Sequence, residues 1–171
     1  MAAPPTDAQL QQWFAAIDAD RTGTINAEEL QRAMALGGLH FSLQACAQMV
    51  RLHDRDNSGT IALPEFRSLH MQLTETRSAF SAAARGGDAI GADAVQHLVA
   101  AQGFKLEGPA LHAVLAAFDP DRNGRFGLPE YTMLFLFLVS CRNVFAAFDP
   151  QHSGRISLDF SQLAYCAALT R

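Results

Sequence analysis

A short pattern recurs four times along this 171-residue chain: an aspartate, a glycine five residues on, and an apolar residue two beyond the glycine. The four copies begin at Asp18, Asp54, Asp119 and Asp149; their glycines are Gly23, Gly59, Gly124 and Gly154, and their apolar residues Ile25, Ile61, Phe126 and Ile156. The first three add a second aspartate at position 3 (Asp20, Asp56, Asp121) and an oxygen-bearing side chain at position 5 (Thr22, Ser58, Asn123). They also carry a glutamate at position 12 (Glu29, Glu65, Glu130). A motif repeated on this scale requires a fold assembled from copies of one supersecondary unit.

The chemistry of the motif is that of a hard cation. Calcium takes six to eight oxygen ligands, which a 12-residue loop supplies from positions 1, 3, 5, 7, 9 and 12. Short acidic or hydroxyl arms suit positions 1, 3 and 5. Position 7 offers only its backbone carbonyl, so Thr24, Thr60 and Arg125 differ freely. Glycine at position 6 permits the sharp turn, and the glutamate closes the shell with two oxygens. Pro64 and Pro129 precede that glutamate, where a starting helix tolerates a missing N–H. The predicted metal ligands are therefore Asp18, Asp20, Thr22, Thr24 and Glu29; Asp54, Asp56, Ser58, Thr60 and Glu65; and Asp119, Asp121, Asn123, Arg125 and Glu130. Apolar residues at helical spacing flank each loop: Trp13, Phe14 and Ile17 lead into the first, Leu30 and Met34 leave it. Leu111, Leu115 and Phe118 lead into the loop at Asp119, and Phe145 and Phe148 into the last. The predicted fold is all-α, helix–loop–helix repeated (EF-hands), with short β pairings at position 8.

The spacing predicts a fifth unit. Asp18 and Asp54 lie 36 residues apart, Asp54 and Asp119 65, and Asp119 and Asp149 30. The long gap holds a further copy between Phe80 and Val95, where Phe80 stands as Phe14 does before the first loop. Ile90 takes position 8 if this loop is one residue short; positions 1 and 12 are then Ala84 and Ala94, so the carboxylates are gone. Gly37-Gly38 and Ser42 separate hands one and two, and Gly103 with Gly108-Pro109 separates hands three and four. Residues 65–83 and 131–148 hold neither Gly nor Pro, which predicts long helices shared between hands two and three and between hands four and five. The boundaries read are a short flexible segment at 1–8, then 9–171 as one domain. Its hands fall at about 9–36, 42–70, 71–101, 109–138 and 139–171. The fifth loop has Gln151 at position 3 and Phe160 at position 12, so no metal is expected there. An odd hand exposes its strand edge and apolar faces, and twofold pairing with another copy over about residues 145–171 would cover them.

Composition removes other classes. A net charge of −4, with 18% charged residues, argues against nucleic acid as the partner. Cys46, Cys141 and Cys166 are odd in number and widely spaced, a pattern of reduced cysteines. The first residues lack a signal sequence, and the most apolar run, 133–139, is short for a span, so a cytoplasmic location is expected. The six histidines show no paired ligand spacing, and no nucleophile signature accompanies any cysteine; no catalytic residues are assigned. Three calcium ions would take the formal charge from −4 to about +2, favouring calcium-dependent association with anionic membrane surfaces.

Five hands, long helices after hands two and four, and a divergent fifth loop together resemble the penta-EF-hand family over residues 9–171. The resemblance implies dimerisation through the fifth hand. It also implies calcium-dependent engagement of membranes or of target proteins, often through Pro-rich or apolar peptides. Many members bind calcium in the third hand, which lacks its carboxylates here; residues 1–6, with Pro4-Pro5, stand where members carry a long Gly/Pro-rich arm. The expected role is a non-enzymatic calcium sensor and adaptor, with a regulatory subunit of a calpain-like protease or a calcium buffer as alternatives.

Overall fold

The computed structural model describes residues 5–170. Among the described residues, eight helices and two short strands follow in chain order: α1 (Asp7–Ile17), α2 (Ala27–Leu36), α3 (Leu43–His53), α4 (Leu63–Ala84), β1 (Ala89–Gly91), α5 (Ala92–Ala101), α6 (Gly108–Ala117), β2 (Arg125–Gly127), α7 (Leu128–Phe148) and α8 (Phe160–Leu169). Two compact units divide the chain, residues 1–76 and 77–171, with the division inside α4. Residues 1–4, half of the segment expected to be flexible, lie outside the described residues. The first helix starts earlier than expected, at Asp7, because Thr6 and Gln9 form a capping box.

In the first unit, Asn26 caps α2 and Ser42 caps α3 through their side-chain oxygens. Ile25 and Ile61 face each other as an antiparallel bridge, each N–H donating to the other's carbonyl at 2.8 Å. Both side chains are fully buried, as are Leu30, Cys46, Met49 and Leu69. Phe14 meets Phe66 edge to face at 5.7 Å between centroids. His53 is buried, with Nδ1 3.2 Å from the Ser68 hydroxyl and Nε2 2.6 Å from Gln72 Oε1.

The second unit repeats the arrangement. β1 and β2 pair antiparallel with Ile90 opposite Phe126. This register puts Ile90 at position 8, as the one-residue deletion requires, and joins hand three to hand four. The core gathers Phe80, Ile90, Val95, Val99, Phe126, Tyr131, Leu134 and Leu138. No residue of helix α6 is fully buried; Val114 and Leu115, with Phe118 at the helix C-cap, rest against this core. Helix α7 is longer and more apolar than the run at 133–139 implies. Its 21 residues pass the length and composition test for a membrane span, yet Tyr131, Leu134, Phe135, Leu136 and Leu138 are buried, as in the core helix of a globular protein.

Candidate metal centre

Four loops share one backbone solution. Position 4 is left-handed in each, at Arg21, Asn57, Arg122 and His152 (φ 53° to 58°), and so is the glycine at position 6. Such conformations disfavour side chains at position 4, so something must hold them. The aspartate at position 1 does so. Asp18 accepts the N–H of Thr22 through Oδ1 and that of Gly23 through Oδ2, each at 2.9 Å. Asp54 does the same with Ser58 and Gly59, Asp119 with Asn123 and Gly124, and Asp149 with Ser153 and Gly154.

Position 5 points toward position 7. Thr22 Oγ1 donates to the Thr24 carbonyl at 3.2 Å, and Ser58 Oγ to that of Thr60 at 3.3 Å. In the fourth hand Asn123 instead donates to Asp121 Oδ2 and accepts the Arg125 N–H, both at 2.6 Å. The position-5 hydroxyls hold Asp20 and Asp56 below the usual carboxylate range, the Thr22 side chain leading for Asp20 and the Ser58 side chain for Asp56. For Asp119 and Asp149 desolvation pushes upward, but several donors together pull the carboxyls below the ordinary value.

The glutamates at position 12 serve the helix and the loop at once. Each is the third residue of its outgoing helix and accepts the N–H of position 9: Glu29 from Asn26 at 3.0 Å, Glu65 from Ala62 at 2.8 Å, Glu130 from Gly127 at 2.7 Å. Glu29 and Glu65 also accept the N–H of position 2, from Ala19 and Arg55.

Two groups of carboxylates converge: Asp18, Asp20 and Glu29, and Asp54, Asp56 and Glu65, each with ligand oxygens within 4.8 Å of one another. Among the described residues the ion pair is Arg67 with Asp7, which leaves both trios without a basic partner. Three like charges at this separation repel by about 1 kcal/mol per pair even in water, and hard oxygen donors around a divalent cation reverse that sign. The donor set fits calcium. Asp119, Asp121 and Glu130 lie in the same order along their loop but do not converge in this way among the described residues.

The fifth loop corrects one expectation. Its outgoing helix starts at Phe160, two positions later than in hands one, two and four, because Asp159 caps it and forms a capping box with Gln162. The residue equivalent to Glu29 is therefore Gln162 rather than Phe160. The Asp159-x-x-Gln162 signature was present in the sequence, as was Asn26-x-x-Glu29. The N–H donors of position 2 carry no side-chain signal and emerge only from the folded loop.

The EF-hand domain pair family matches residues 7–71. Penta-EF hand domain-containing protein 2 of Dictyostelium discoideum is 26% identical over 162 residues, 94% of this chain and 78% of that protein. Sorcin of Homo sapiens is 31% identical over 133 residues, and the match takes in 74% of this chain and 65% of sorcin. The solved structure of a homolog of programmed cell death 6 protein from Leishmania major Friedlin superposes with a TM-score of 0.70 at 27% identity, covering 96% of this chain and 95% of that one. The chain is a calcium-binding EF-hand protein, and the relatives it matches over most of its length are similar to it as penta-EF-hand proteins.

Proposed function

We propose that this chain is a calcium-responsive adaptor whose first two hands are its principal metal sites. The two converged carboxylate trios carry the reading, because they stand assembled and have no basic partner among the described residues. Asp18, Asp20, Thr22, Thr24 and Glu29 bind one ion, and Asp54, Asp56, Ser58, Thr60 and Glu65 a second. Asp119, Asp121, Asn123, Arg125 and Glu130 bind a third. Hand three, with Ala84 and Ala94 in place of carboxylates, is a structural partner for hand four. Calorimetric titration should count three sites in the wild type and one in Glu29→Gln/Glu65→Gln; no loss of sites in that variant would refute the assignment.

The fifth hand pairs two copies of the chain. Supporting this, Phe160, Leu163, Tyr165 and Leu169 are exposed on α8 and Phe145 on α7, and Ile156 has no strand partner among the described residues. Sedimentation should give a dimer at micromolar concentration; a monomer that binds a calpain-like protease instead would favour the regulatory-subunit reading.

On loading, the net charge moves from −4 toward about +2, and the chain engages an apolar or Pro-rich target peptide or an anionic membrane from the cytoplasm. Calcium-independent pelleting with anionic vesicles would remove the membrane half. A buffer, by contrast, would expose no further apolar surface on loading, as read by a hydrophobic dye. A binding role rather than catalysis is supported by Cys46, which is fully buried and whose thiol is pushed up by desolvation, away from the reactive thiolate.

A further inference from the structure

Loop position 2 is Ala19 in hand one, Arg55 in hand two and Pro120 in hand four. The Ala19 N–H donates to Glu29 Oε1 at 2.9 Å, and the Arg55 N–H to Glu65 Oε1 at 2.7 Å. With the position-9 N–H on Oε2, each glutamate is gripped by both oxygens, across the loop and along its helix. Glu130 has the second grip, from Gly127 at 2.7 Å, but proline carries no N–H to supply the first. The outcome is visible in the side chains. Glu29 and Glu65 are 3% and 6% exposed and converge with their aspartates, whereas Glu130 is only half-buried and does not. Asp119 still gathers the N–H groups of Asn123 and Gly124 as Asp18 and Asp54 gather theirs, so the difference lies on the glutamate side.

We propose that Pro120 is the positioning residue that sets hand four apart: lacking an N–H at position 2, it leaves Glu130 to be ordered at the moment of binding, and hand four takes calcium more weakly than hands one and two. This rests on the reading of loop 119–130 as a calcium site. Ordering a side chain on binding subtracts from affinity, and preorganisation restores it. Proline's rigidity acts in the opposite sense, since a stiffer loop has less freedom to lose. The sign of the effect therefore separates the missing donor from the stiff ring.

The test uses the full chain with Glu29→Gln and Glu65→Gln, so that calorimetry with calcium chloride reads loop four alone. Adding Pro120→Ala should tighten binding about tenfold, the size expected of one hydrogen bond to a charged group. In the ion-free protein the amide that this substitution creates should be protected from hydrogen exchange, like those of Ala19 and Arg55. In a separate background that keeps Glu65 (Glu29→Gln with Glu130→Gln, which leaves hand two to be read), Arg55→Pro, compared with Arg55→Ala to hold charge constant, should loosen hand two by a similar factor. Asp54 (φ −68°, ψ 101°) is extended enough to precede a proline there. Unchanged or weaker binding in Pro120→Ala, or equal binding in the two Arg55 variants, overturns the proposal. If loop four takes no calcium with either residue, this proposal and the loop-four assignment both fall, while the wild-type signal from hands one and two judges the calcium reading separately.

Discussion

Loops two and five have the same backbone turn and different chemistry. Both place position 4 and the position-6 glycine left-handed, and in both the first aspartate accepts the N–H groups of positions 5 and 6. Loop two then adds Asp56 and Glu65 and converges three carboxylates, whereas loop five offers Gln151, starts its helix two positions later and brings in Gln162. The third hand makes the complementary separation: Ile90 keeps its pairing with Phe126 although Ala84 and Ala94 stand where the first and last carboxylates would be. Strand pairing thus survives the loss of the carboxylates in hand three, and the turn survives the loss of the second and third acids in loop five.

That separation can be broken deliberately. The largest effect should come from Ile61→Ala, which empties a fully buried site at the bridge between hands one and two. A loss of about 2–5 kcal/mol is expected, read as a lowered midpoint in urea, with Trp13, the single tryptophan, as the probe. Ile156→Ala removes the equivalent residue of the fifth loop, which is only half-buried and has no strand partner among the described residues, and should lower the midpoint far less. Next, Glu65→Gln should weaken calcium at hand two by about a hundredfold, roughly 3 kcal/mol, while leaving helicity unchanged, since the amide oxygen can still accept the Ala62 N–H. Loss of helix together with calcium would show that shape and charge are not separable. A smaller gain is expected from Gln151→Asp with Gln162→Glu, which restores acidic groups to loop five and should add one weak site by calorimetry; addition of no site would mean that the two-position shift alone forbids closure.

The smallest effect is on pH dependence in the ion-free state. Burial holds His53 and His70 below the ordinary histidine value, His70 lying against Trp13 with 5.1 Å between ring centroids. The folded chain therefore binds fewer protons than the unfolded one as pH falls through about 6.5, and stability is lost in that direction. Asp20 and Asp56, also depressed, contribute stability above the ordinary carboxylate range that is lost in more acidic solution. Urea midpoints of the ion-free chain should decline from pH 7 to pH 5; a flat profile for Trp13 would show that neither histidine is protected from protons in the first unit.

Much of this was legible in one dimension because the constraints are local. A 12-residue loop fixes its ligand types by spacing, glycine marks the turn, and uninterrupted segments at 65–83 and 131–148 announce the helices observed as α4 and α7. Even the divergent third hand could be placed, since Phe80 and Ile90 retain the apolar frame of its neighbours. Other features depend on where backbone groups meet after folding. The start of α8 follows from a competition between capping sites that position counting along the loop does not settle. The exposure of α6 follows from packing rather than from its apolar composition. The sequence alone thus determined the repeat, the chemistry of the ion and which loops carry acid. Tertiary structure decided which acids converge, because that turns on a main-chain N–H at position 2, a donor present in Ala19 and Arg55, absent in Pro120, and effective only once the loop has brought it against the glutamate.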